Sequence, residues 1–220
     1  MKDHEQLSMG IRYWGFTLIE LLVVISIIGI LAGLVTGLAG VASRKMRENR
    51  VRGDLGQIST GVDTYKLELG FYPPDSPRGP HTNQLFYELS GATFTAVGNP
   101  PKGKFQSLDG ASVILSDTLK KYFDVPGIAN SAREKRDVKF TGSHFARSMH
   151  QAMDVSEDVE LLVVPAPGPR GQMIPGRNNT SLNTWRYDSS STNRHNRTGY
   201  DLWAEIIVGR RTNIIGNWKQ

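Results

Sequence analysis

The residues best suited to chemistry stand near the start of the chain. They are Gly15-Phe16-Thr17-Leu18-Ile19-Glu20, followed at once by an apolar run from Leu21 to Val35. An ionised side chain deep in a bilayer costs roughly 2.5 to 3.5 kcal/mol, so Glu20 calls for a partner or a function. The run itself offers no counter-charge, because no Lys, Arg or His occurs between Phe16 and Ala42. Were the chain cut after Gly15, Phe16 would gain a free amine with a pKa of about 8. That cation could meet the carboxylate of a neighbouring copy, which makes cleavage and assembly one argument.

No other group of residues has catalytic spacing. The histidines are His4, His81, His144, His150 and His195, and none lies in an H-E-x-x-H frame, so they read as surface residues rather than ligands. Neither a G-x-S-x-G elbow nor a P-loop is present. Glu157, Asp158 and Glu160 read as paired acids or, equally well, as a charged helix end or a loop before a strand. The absence of cysteine excludes disulfides, thiol catalysis and thiolate metal sites. No enzyme is expected. The triplets at Asn178 and Asn196 match N-x-[ST] and read as loops, from which no sugar is inferred.

The element that must carry Glu20 is a helix. From Phe16 to about residue 36 there are roughly twenty mostly apolar residues, which at 1.5 Å per residue span about 30 Å, one hydrocarbon core. Gly29, Gly33 and Gly37 recur every four residues along it, with Ser26 and Gly40 near the same face, a spacing that lets helix backbones approach closely. Beyond it Val51, Leu55, Ile58, Val62, Tyr65 and Leu69 form one apolar stripe, while Asp54, Gln57, Asp63 and Lys66 take other positions. No breaker stronger than glycine interrupts residues 16–69, so one helix of roughly 80 Å is expected. Gly70 and the pair Pro73-Pro74 end it.

The remaining chain, residues 70–220, is expected to form a single globular head. Within it, about 76–157 is expected to be a variable insertion and is the least regular stretch, with short helices expected over Gln84–Leu89 and Val113–Phe123. Strands are expected over about 159–218: Val159–Val164, Asn183–Tyr187, Tyr200–Val208 and Thr212–Asn217, the last two joined at Gly209-Arg210-Arg211. The fold class is therefore α+β, a long N-terminal helix against a small C-terminal antiparallel sheet.

The net charge of +5 is mild. Its densest patch, Arg44, Lys45, Arg47, Arg50 and Arg52, reads as a solvated helix face or a contact with lipid headgroups. The basic balance alone does not indicate nucleic acid, and no nucleic-acid partner is expected.

The string G-F-T-L-I-E-L-L-V-V-I-S-I-I-G-I-L-A resembles the signal of type IV pilins and of type II secretion pseudopilins. The phrase Tyr65 to Pro73 is similar to the Y-x-x-x-x-G-x-Y-P passage of major, G-type pseudopilins, and Ile214-Ile215-Gly216-Asn217-Trp218 is similar to their I-G-N-W ending. The resemblance implies a leader over 1–15, removed by a prepilin peptidase between Gly15 and Phe16, and methylation of the Phe16 nitrogen. It implies a role for Glu20 in subunit docking. It further implies a bacterial inner-membrane, single-pass protein with its head in the periplasm, assembled as a helical homo-oligomer with an assembly platform and minor pseudopilins to support export. The alternative is a type IV pilin for adhesion, motility or DNA uptake, for which Arg170, Arg177, Arg194, Arg197, Arg210 and Arg211 would be the basic residues.

Two features depart from that family. The leader carries Asp3 and Glu5 beside Lys2, His4 and Arg12, with Tyr13-Trp14 before the junction; the basic patch after the helix favours the opposite orientation by charge count. Major pseudopilins hold calcium in an acidic C-terminal loop. Between Asp188 and Asp201 this chain offers Asn193 and Asn196 but no further acid. No calcium site in that place, and no cofactor, is expected.

Overall fold

The computed structural model describes residues 15–139, 145 and 147–218, with the backbone alone for residues 35–39. The leader residues Tyr13-Trp14, with His4 and His144, lie outside the described residues. In chain order the elements are α1 (Leu18–Leu69), α2 (Leu85–Ser90), β1 (Ala92–Val97), β2 (Lys102–Ser107), β3 (Val113–Leu115), α3 (Ser116–Phe123) and β4 (Ser131–Ala132). After a 3-10 turn at Lys135–Asp137 come β5 (His150–Ala152), β6 (Glu160–Leu162), β7 (Ile174–Gly176), β8 (Thr180–Leu182), β9 (Arg186–Asp188), β10 (Asp201–Val208) and β11 (Arg211–Gly216). Contacts divide the chain into two units, Met1–Arg44 and Lys45–Gln220.

In the first unit α1 exposes its large apolar side chains, from Phe16 at 77% and Leu18 at 87% to Leu34 at 58%. Such a surface is far too apolar for water and marks a face that other molecules cover. Ser26 Oγ donates to the Leu22 carbonyl at 2.7 Å, so this hydroxyl is satisfied within its own helix. Among the described residues no helix is long and apolar enough to cross a membrane. The expected span of residues 16–36 includes Val35 and Thr36, whose side chains are not described.

In the second unit the predicted stripe is the buried one. Val51, Ile58, Val62 and Tyr65 are fully buried, and Leu55 and Leu69 pack against the same core. Each such side chain contributes about 1.5–3 kcal/mol. Gly70 closes the helix at φ +86°, with its N–H donating to the Lys66 carbonyl at 3.0 Å, and edge-on packing of Phe71 on Tyr65 turns the chain back.

The C-terminal sheet runs in the order β11-β10-β9, all antiparallel. On β10 Leu202, Ala204 and Ile206 are buried, the period of two expected of a strand with one face on a core. β10 starts at Asp201 rather than Tyr200, and β11 ends at Gly216 rather than Asn217; two further boundaries move. Arg211 belongs to β11, because Val208 pairs with Arg211 and the hairpin needs only Gly209 and Arg210, Gly209 taking φ +68°. The strand expected over Asn183–Tyr187 starts at Arg186 instead. Residues 183–185 pair elsewhere: Val164 N–H donates to the Asn183 carbonyl at 2.7 Å, and Trp185 N–H to the Leu162 carbonyl at 3.0 Å.

The stretch 76–157 holds a sheet that the sequence reading did not contain, in the order β3-β2-β1-β4, with β4 parallel to β1. The helix expected over Gln84–Leu89 is α2. The one expected over Val113–Phe123 is split: Val113–Leu115 pairs with Gln106–Lys104 as β3, and only Ser116–Phe123 is helical. β-branched Val113 and Ile114 suit the strand, and Ser116 Oγ donates to the Gly103 carbonyl at 2.9 Å where the chain changes conformation. The pairs β5–β6 and β7–β8 complete the head.

Candidate assembly site at the start of the long helix

Thr17 is the last non-helical residue before α1, and its side chain and that of Glu20 close the helix end together. Glu20 N–H donates to Thr17 Oγ1 at 3.3 Å, while Thr17 N–H reaches Glu20 Oε2 at 2.9 Å and the Thr17 hydroxyl reaches the same oxygen at 2.7 Å. This is the reciprocal capping box that T-x-x-E spells. The carboxylate also sits where the helix dipole favours negative charge. The sequence reading sought only a counter-charge for Glu20, and so it missed a neutral partner three residues away. The signal was present as Thr17-Leu18-Ile19-Glu20. Glu20 Oε1 accepts nothing among the described residues.

Among the described residues, Gly15, Gly29 and Gly33 have no steric reason. A Cβ at Gly15, Gly29 or Gly33 would meet nothing within 4 Å. Gly37 is helical, in the stretch of which only the backbone is described. Part of the basic patch is engaged locally: Lys45 and Arg52 flank Glu48 at 3.8 and 3.0 Å, and Arg50 donates to Ser148 Oγ at 3.3 Å.

The remaining acids and bases are dispersed. Glu157 accepts from Lys121 at 3.0 Å and from the Tyr122 hydroxyl at 2.9 Å; the Ser156, Lys121 and Tyr122 donors pull its carboxyl down to about 2. Asp158 pairs with Arg177, and Glu160 with His150 Nδ1 at 3.0 Å. The three acids therefore serve separate partners and share none. His150 corrects the expectation of a surface residue: its side chain is only 10% exposed and its ring packs 4.6 Å from Phe86. Of the six candidate DNA-uptake arginines, Arg177 is ion-paired and Arg194 donates to the Ser191 and Arg197 carbonyls. Among the described residues no three His, Cys, Asp or Glu side chains stand together as metal ligands would.

Two buried charges went unnoticed in the sequence. Arg186 is 4% exposed, bonded to Gln172 Oε1 at 2.6 Å and 3.6 Å from Glu205; burial lowers its pKa against the Glu205 charge. Glu88 on α2 is fully buried, held by Tyr65 and by the amides of Ala129 and Asn130.

A capped apolar helix leading into an α+β head with a small antiparallel sheet is the pilin-like architecture. Residues 15–36 match the family described as the prokaryotic N-terminal methylation motif. The similarity continues beyond that motif. The chain is 36% identical over 97 residues to the type II secretion system core protein G of Klebsiella michiganensis, covering 44% of this chain and 60% of that protein. It is 42% identical over 65 residues to the protein of the same name from Pectobacterium carotovorum, covering 29% and 41%. The Pseudomonas aeruginosa core protein G is 41% identical over 59 residues, covering 27% and 42%. The chain thus spans between 41% and 60% of the length of these curated relatives. No solved structure matches. Over this part of the chain the findings show similarity to the type II secretion system core protein G.

Proposed function

We propose that this chain is a structural, non-catalytic subunit of a type II secretion pseudopilus. A prepilin peptidase cuts between Gly15 and Phe16, and the new Phe16 amine is methylated. Residues 16–36 anchor the protein once in the bacterial inner membrane, with the head in the periplasm. Copies then stack through their N-terminal helices into a filament, in concert with an inner-membrane assembly platform and minor pseudopilins. The observation that carries this reading is the methylation motif at residues 15–36 together with the 97-residue similarity to core protein G. These relatives do not favour the type IV pilin alternative.

The site's geometry agrees with the assignment. Gly15, Gly29 and Gly33 have no internal steric cause, so the demand for small residues comes from outside the chain, from the peptidase at Gly15 and from neighbouring helices at Gly29, Gly33 and Gly37. Glu20 uses Oε2 for its own helix cap and leaves Oε1 for the amine of an adjoining copy.

The capping box also sharpens the test. Glu20→Ala removes both the cap and the charge, whereas Glu20→Gln keeps a capping side chain and removes only the charge. Both variants are expected to be inserted and cleaved, with Phe16 methylation read by mass spectrometry, and both to fail in filament assembly. Wild-type filament yield from Glu20→Gln would refute the ion-pair role and leave Glu20 as a helix cap alone.

A further inference from the structure

The resemblance to major pseudopilins implies a calcium ion in the loop between β9 and β10, and the groups present there do not fit one. Asp201, 4% exposed, accepts His195 N–H at 2.7 Å and His195 Nδ1 at 2.9 Å on Oδ2, and Asn196 N–H at 2.9 Å on Oδ1. Asp188, at the other end of the loop, accepts Ser190 and Ser191 N–H at 3.1 and 2.8 Å. Asp75 reaches in and accepts Ser189 and Ser190 N–H at 3.2 Å each. Calcium needs six to eight oxygens at about 2.3–2.6 Å. Here both oxygens of Asp201 are taken by N–H donors, and among the described residues no three His, Cys, Asp or Glu side chains stand together as ligands.

The work of holding the loop together is done by groups of the chain itself. The Arg194 guanidinium donates to the Ser191 carbonyl at 2.5 Å and to the Arg197 carbonyl at 3.3 Å, gathering the loop oxygens that a hard cation would otherwise collect. Asn196 Nδ2 donates to the Tyr200 carbonyl at 2.9 Å and to Asn217 Oδ1 at 3.2 Å, and Asn217 Nδ2 donates to the Tyr200 carbonyl at 3.0 Å. The His195 ring lies flat on Trp218, centroids 4.1 Å apart and 2° from parallel, and so ties the loop to the end of the chain. Burial works against the charge on Asp201, but the bonds from Asn196 and His195 outweigh it and hold the carboxyl below its usual range.

We propose that the β9–β10 loop closes without a divalent cation, clasped by Asp201 on its N–H groups and by Arg194 on its carbonyls. The clasp is independent of whether the subunit serves secretion or another filament, because it concerns only how the head is closed.

The test uses the full chain purified in detergent. Thermal midpoints are measured with millimolar calcium and with a chelator, for wild type, Asp201→Asn and Arg194→Ala, together with amide hydrogen exchange at His195 and Asn196. The wild-type midpoint is expected to be the same with calcium and with chelator. In Asp201→Asn, protection of the Asn196 amide should fall roughly ten- to a hundredfold, the equivalent of one N–H bond to a charged acceptor. Arg194→Ala should lower the midpoint equally with and without calcium. A midpoint raised by calcium, stoichiometric calcium binding in calorimetry, or Asn196 protection unchanged in Asp201→Asn would each overturn the proposal.

Discussion

Glu88 gives the most direct test of how the head is held together. Its carboxylate lies fully buried on α2. Three donors converge on it: Ala129 N–H on Oε1 at 2.9 Å, and Asn130 N–H and the Tyr65 hydroxyl on Oε2, each at 3.0 Å. Two effects compete, since burial disfavours the charged form while donors favour it. Burial wins and pushes the carboxyl up to about 7, with the Ala129, Asn130 and Tyr65 bonds pulling the other way. The folded state therefore holds this proton more tightly than the unfolded chain. Its stabilisation is complete below the ordinary value of 4.5 and is lost as pH rises through about 7. At ~1.4 kcal/mol per pKa unit the loss is about 3 kcal/mol, or roughly 6–12 °C in Tm for a domain of this size.

Other carboxylates titrate too, so the measurement is a difference. Glu88→Gln abolishes this one titration and sets an amide nitrogen against the Ala129 or Asn130 N–H, a pH-independent cost of about 1–3 kcal/mol. Denaturant midpoints of the full chain, wild type against Glu88→Gln, are compared from below pH 4.5 to above pH 7. The variant's disadvantage should shrink by about 3 kcal/mol across that window. A constant gap would mean that the three donors balance burial, and one that widens with pH that they outweigh it; either result would refute the reasoning.

Two further substitutions probe the helix and its end. Ile58→Ala, at a fully buried position, should cost about 2–5 kcal/mol in chemical unfolding, whereas Leu67→Ala, 83% exposed on the same helix, should stay within about 0.5 kcal/mol. Gly70→Ala should cost about 1–2 kcal/mol, because φ +86° lies in the left-handed region that a Cβ disfavours, while Gly53→Ala, in open space within α1, should stabilise by up to about 1 kcal/mol.

Helical features were legible where one local rule sufficed. The stripe Val51 to Leu69 repeats at helical spacing, and Gly70 with two prolines marks its end, so periodicity and punctuation agreed. The hairpin of β1 and β2 was not legible for the opposite reason. Along Ala92–Val97 only Ala92 is buried, so no alternation of apolar and polar residues announces a strand, and β2 is similarly mixed. Glu88 was invisible because its partners lie 23, 41 and 42 residues away; a glutamate in L-F-Y-E-L-S looks like any exposed helix position until the Asn130 loop is folded over it. At the assembly site the residues were readable but the capping role was not assigned, since a search for counter-charges passes over a threonine.

The stretch 76–157 is built into the head's core. Phe105, Ile114, Leu119, Phe123, Val125 and Ile128 belong to the same core cluster as Ile58 and Tyr65 of α1 and Leu202 of β10. Glu88 adds polar ties between that stretch and α1 through Tyr65. Deleting the stretch would open the common core rather than trim a loop. The outward residues of the stretch, among them exposed Val113 and Leu115 on β3 and the Gly98–Pro101 turn between β1 and β2, take no part in that core. Substitutions there should cost little stability, whereas substitutions on its inner face should act through folding, as chemical unfolding would read.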